Sequence, residues 1–210
     1  MKEVVIADQI LKELRSHAPF TAFGAVTGIA LIAAIIVFRL FMQVSEVSLR
    51  IFYVLHPAHV VLSAIATTAM FIRYRPKANI AWKILIGYVG SIGIATLSDS
   101  IIPYAGEWLL DLPNKGAHLG FIEEPLVINL AAMVGIVIAF WKPTTKLPHS
   151  GHVLLSTWAS LFHIVMSLGE SVQWILIVPI FVFLFLAVWV PCCTSDIVFP
   201  LLFVPGKRST

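Results

Sequence analysis

Residues 173–193 read QWILIVPIFVFLFLAVWVPCC, a run of 21 without one charged side chain. As a helix this run is about 30 Å long, the thickness of a bilayer's hydrocarbon core. In water a helix that is apolar all round needs protein on every side, whereas in lipid it needs none. Working outward, the same pattern recurs at about 22–44, 50–72, 79–102, 118–141 and 150–170. Hydrophobic residues make up 59% of the 210-residue chain and charged residues 12%, against about 25% charged in soluble domains. The mean hydropathy is +0.95. The expected fold class is therefore all-α membrane protein. We expect one domain over 19–196, a bundle of six transmembrane helices joined by short loops.

Residues 1–18 carry Lys2, Glu3, Asp8, Lys12, Glu13 and Arg15, so no cleavable signal is expected. Ile6, Ile10 and Leu14 share a face, which predicts an amphipathic interfacial segment. Residues 197–210 form a short tail, first apolar and then basic. In a six-helix arrangement Arg73, Arg75 and Lys77, Lys142 and Lys146, and the basic residues of both termini all fall on one side. That side is expected to be cytoplasmic, in a prokaryotic inner membrane. The net charge is only +3 and lies in loops, so no nucleic-acid partner is expected. Gly87, Gly90 and Gly93 are expected at close helix contacts. Adjacent Cys192 and Cys193 imply no disulfide framework.

Ionisable groups within a span are costly unless paired, and so point to function. In the six-helix arrangement His56, His59, Asp99, Glu123, Glu124 and His163 come from four helices. They lie about 5–15 Å below the outer helix ends. Imidazole with carboxylate suits Zn, Fe or Mn, so these six are the expected metal ligands. His118 and Glu170 form a secondary outer site, and Glu107 is expected to face the headgroups. Pro57, Pro103, Pro125 and Pro191 stand beside polar clusters, where each frees a backbone carbonyl.

His149, His152, Ser156, Ser160, His163, Ser167 and Glu170 are spaced 3, 4, 4, 3, 4, 3, one face of a single helix. A polar face across a whole span cannot face lipid. It is expected to be either a helix interface held by serines or the wall of a hydrated pathway, with Ser63 and Thr67 opposite. At the cytoplasmic end His149, His152, Cys192, Cys193 and Asp196 form a second metal candidate, softer because of its thiols.

Pro148–His149–Ser150–Gly151–His152 resembles the Pro-Ser-Gly-His element of membrane phosphatidate phosphatases. Ser156 with His163 matches the spacing of that family's third motif. Thr157 stands where that motif carries arginine, and both motifs fall on one helix, so no membership follows. His56/His59 and His149/His152 resemble the His-x-x-His pairs of membrane di-iron desaturases. The six-helix arrangement sets the two pairs on opposite sides, where they are not expected to share a centre.

The expected function is a divalent transition-metal transporter, coupled to protons. The alternative is a membrane-embedded metal-dependent hydrolase acting on a lipid-type substrate. A b-type haem protein and a small subunit of a membrane complex are further alternatives. Expected partners are the lipid bilayer, the metal ion and either a second copy or a membrane complex.

Overall fold

The computed structural model describes residues 2–143, 146–168, 174–195 and 198–203, and these are helical apart from short connections. Helix α1 (Lys2–Phe38) runs without a break through both the expected interfacial segment and the first apolar stretch. It ends at Arg39, which takes φ 54, a left-handed conformation costly for a residue with a side chain. Helix α2 (Phe41–Tyr74) begins at once. The expected loop near 45–49 is thus a turn of α2. Gln43, Glu46 and Arg50 look like a loop by polarity, yet a helix carries them easily where it leaves the apolar layer. The break at 39–40 contains no Gly or Pro to announce it. The consequence is positional: His56 and His59 lie near the middle of a 34-residue helix.

Helix α3 (Ile80–Thr96) is capped by Asn79, whose side chain accepts from the Ala81 N–H at 3.1 Å. It passes into a five-residue π turn, Leu97–Ile101, and on into α4 (Ile102–Leu109). Pro103 explains the turn. It has no N–H for the Asp99 carbonyl, and its ring would strike that carbonyl in a regular helix. The wider turn removes the clash, with Ile102 N donating to Leu97 O. The helix therefore continues past 102, where a loop was expected. The turn also points Ser98, Asp99 and Ser100 inward, all fully buried.

A short helix α5 (Gly120–Glu123) precedes α6 (Pro125–Trp141), and α7 (Lys146–Ser167) follows. Helix α8 (Ile177–Ser195) is entered through a 3₁₀ turn at Trp174–Leu176, and α9 (Val198–Leu202) follows it. Among the described residues four helices are long and apolar enough to cross a membrane: Ala18–Phe38, Glu46–Tyr74, Ile80–Leu109 and Trp174–Cys192. Helix α6 is apolar but shorter.

Helix α7 is the hub, packed against α2, α1, α8, α4 and the π turn. Its apolar side meets Ala25, Ile32 and Ile35 of α1 and Ile180 and Leu184 of α8 through Leu161, Ile164 and Val165. Of the three glycines on α3, Gly87 and Gly90 sit against Thr68 and Thr67 of α2, too close for a side chain. Gly93 faces open space. Arg75 donates to the Phe203 carbonyl at 3.0 Å, tying the end of α2 to the turn after α9.

Candidate metal centre

Asp99 is the middle of the site. Its Oδ2 accepts from His56 Nδ1 at 2.9 Å and from His59 Nδ1 at 2.8 Å. Its Oδ1 accepts from the Ser98 hydroxyl at 2.8 Å and the Ser156 hydroxyl at 2.6 Å. All five residues are fully buried. Helical spacing puts both histidines on one face of α2, the π turn brings Asp99 to them, and α7 supplies Ser156. Because a carboxylate oxygen only accepts, both Nδ1 atoms carry hydrogen, and in a neutral imidazole the Nε2 is then the atom with the lone pair. A carboxylate behind a histidine is the usual way a metal-ligating imidazole is oriented.

The Nε2 of His59 lies 3.9 Å from Cys192 Sγ of α8. The ring of His152 on α7 stacks on His59, with centroids 5.6 Å apart and planes 9° apart. One ligand atom each from His59, His152 and Cys192 lies within 4.8 Å of the others, all buried, so this group could hold a metal ion. Around a tetrahedral Zn²⁺ the ligand atoms are about 3.3–3.8 Å apart, so binding an ion requires the group to close and the two near-parallel rings to turn toward a shared point. His56 Nε2 points instead toward α5, where a Cβ on Gly120 would lie 2.8 Å from it. That nitrogen has no hydrogen-bond partner among the described residues.

The expected separation of an outer His/carboxylate group from an inner His/Cys group is thus corrected. His59 belongs to both. His59 and His152, placed on opposite sides by the sequence, stack on each other. The reason is the early start of α2, which moves His59 to mid-helix, level with His152 and Cys192.

The other expected ligands do not reach Asp99. His163 is fully buried, but its Nδ1 meets Glu107 Oε1 at 2.8 Å and its Nε2 the Ala117 carbonyl at 3.2 Å. Both nitrogens are turned to these partners and away from the Asp99 group. Glu107, expected at the headgroups, is 1% exposed and also accepts from Gly116 N at 3.1 Å. His118 stands edge-on to His163, with centroids 5.5 Å apart, and 3.7 Å from Glu123. Glu123 is exposed and bonds the Tyr53 hydroxyl. Glu124 is exposed at the start of α6. The side chains of His149 and Cys193, together with Glu170 and Asp196, lie outside the described residues.

Sequence reasoning missed Glu107 and Tyr53. A signal for Glu107 existed. It follows Asp99 by eight residues, about two turns once a π turn absorbs one residue, so both fall on one face.

The α7 stripe is a packed interface. Ser160 donates to Ser98 O at 3.0 Å and Ser156 O at 2.8 Å, and Ser167 to Ile164 O at 2.7 Å. With Ser156 on Asp99, each of these serines has a protein acceptor. Ser63 and Thr67 are buried on α2.

The chain matches no family model, no curated protein and no solved structure.

Proposed function

We propose that this chain is a multi-pass membrane protein that binds a divalent transition metal, Zn²⁺ foremost, at His59, His152 and Cys192. The supporting observation is that their ligand atoms converge in a fully buried place, with Asp99 holding His59 from behind. Two imidazoles and a thiolate suit Zn²⁺ and Co²⁺, and they leave a fourth position open. The proposed reaction is transport of the ion in exchange for protons, since ligation takes the thiol proton. In this reading α6 and α7 are the fifth and sixth spans, both termini are cytoplasmic, and the location is a prokaryotic inner membrane.

The test has two parts. Co²⁺ added to the purified chain gives a thiolate-to-cobalt absorption that Cys192→Ser removes. Zn²⁺ then enters proteoliposomes holding the wild type and not those holding His59→Ala. Binding without uptake ends the transport reading and leaves the centre.

One observation favours the second reading, a membrane-embedded metal-dependent hydrolase. A cavity of about 590 Å³ opens beside the π turn, lined by Tyr88, Ile92, Gly93, Thr96, Ile101 and Asn129 among others. Its walls are mostly apolar, as a lipid-type substrate requires, and they do not include His59, His152 or Cys192. Hydrolysis of a lipid ester that requires Cys192 would establish it. Haem is less well supported, because rings stacked face to face do not present opposed axial nitrogens.

A further inference from the structure

The cavity of about 590 Å³ between α3, the π turn, α5 and α6 has apolar walls at Ile92, Ile101 and Phe121 and polar ones at Tyr88, Thr96 and Asn129. Among the described residues no charged side chain lines it. Gly93 stands open to it, since a Cβ there would meet nothing within 4 Å.

The polar groups of the wall are not all used. The Tyr88 hydroxyl donates to Asn129 Oδ1, and Asn129 Nδ2 donates to Pro125 O at 2.6 Å. A carboxamide has two N–H groups, so one of Asn129 is left without a partner among the described residues. Thr96 is 4% exposed, and its hydroxyl has no partner among the described residues either. No hydrogen bond holds that hydroxyl against turning about the Cα–Cβ bond to an acceptor in the cavity. Two unspent donors in an apolar slot suit a ligand with an apolar body and neutral acceptors. A phosphate or carboxylate would enter without a cation to meet it, and burial penalises such a charge.

Depth narrows the ligand further. Asn129 is four residues into α6 (Pro125–Trp141), about 6 Å from the helix end where Glu123 and Glu124 are exposed. In a bilayer that is the boundary between headgroups and hydrocarbon. Diacyl lipids carry their two ester carbonyls there, neutral acceptors at the head of an apolar chain.

Resting on the membrane-spanning reading but not on the metal centre, we propose that this cavity is a binding site for one diacyl glycerolipid. An acyl chain fills the slot beside Gly93, one ester carbonyl accepts from the Asn129 amide, and the Thr96 hydroxyl serves the other. The site goes beyond both functional readings. His59, His152 and Cys192 are not in its wall, so holding the lipid requires no chemistry at that centre.

The test is native mass spectrometry of the purified full chain in detergent. The probes are a diester phosphatidylcholine and the diether lipid of the same chains and headgroup, which lacks both carbonyls. The wild type is expected to retain one diester lipid and to prefer it over the diether by about 10-fold, the effect of one hydrogen bond. Gly93→Phe fills the slot and is expected to lose the lipid. Asn129→Leu keeps the size, removes the donor and is expected to bind both lipids alike.

Equal lipid retention by the wild type and Gly93→Phe overturns the site. Equal retention of diester and diether by the wild type overturns it as well, and needs no variant to fold. A Gly93→Phe chain that loses a second copy of itself and no lipid shows that protein fills the slot, which also overturns the proposal. If the chain stays in solution without detergent, the membrane reading itself falls. Failure of lipid retention alone leaves that reading and the metal centre standing.

Discussion

Among the described residues two buried carboxylates meet histidine, Asp99 two of them and Glu107 one, and the first contacts of His59 and His163 are nearly identical. His59 Nδ1 meets Asp99 at 2.8 Å, and His163 Nδ1 meets Glu107 at 2.8 Å. They differ at the far nitrogen. That of His59 faces Cys192 and shares its surroundings with His152. That of His163 is spent on the Ala117 carbonyl, while Glu107 holds the Gly116 N–H. The first pair orients a ring whose far nitrogen could serve a metal ion, and the second fastens the 110–119 connection to α4 and α7. The lesson is that the partner of the second nitrogen decides what a buried His–carboxylate pair can do.

The largest effect that could break this comparison is on metal binding. Cys192→Ser is expected to abolish the thiolate-to-cobalt absorption, while Glu107→Gln leaves it unchanged. Equal loss in both would mean that the two pairs form one site. Stability comes next. Removing one partner of a buried pair costs about 3–5 kcal/mol, and Asp99→Ala strands two histidines and two hydroxyls. Glu107→Ala strands one histidine and one N–H, for which about 2–3 kcal/mol is expected. Unfolding of both variants in detergent should rank them in that order.

A smaller effect is expected at Gly120. An added Cβ would lie 2.6 Å from His56 Cδ2. His56 is held by Asp99 and stacked on Phe52, so it yields little. Overpacking of this kind costs about 1–3 kcal/mol, and Gly120→Ala should show it as a lower midpoint of unfolding. The smallest effect belongs to an exposed pair. The Lys115 ammonium, 2.7 Å from Asp111, holds that carboxyl below the usual carboxylate range. Solvent screens such pairs, so Asp111→Asn should leave both unfolding and metal binding unchanged.

Helices α6 and α7 show how much was legible in the sequence. Helix α6 reads as apolar but for Asn129, and Val127, Leu130, Val134 and Val137 are indeed exposed on its surface. Helix α7 reads as a polar stripe on an apolar helix, and nearly all of it from His152 to Leu168 is buried. The period of 3.6 residues made the stripe visible. It did not say whether water or protein lies against it, since both satisfy a hydroxyl. Hydrogen bonds to Ser98, Asp99 and their neighbours decided for protein.

For the candidate site, the residue types were legible and their grouping was not. His56, His59 and Asp99 could be named because a charge in an apolar run stands out. Glu107 was lost because Pro103 looks like a helix end, and only the π turn carries the helix past it.

Composition and apolar run lengths determined that the chain is helical and suited to a bilayer. Periodicity determined which face of each helix carries polar groups. Those properties are local, set by 1.5 Å of rise and 100° of turn per residue. Tertiary structure alone decided that His59 meets both Asp99 and Cys192. That meeting depends on where α2 begins and at what level α2, α7 and α8 cross. A left-handed Arg39 and a π turn before Pro103 set those levels, and neither has a signature in hydropathy.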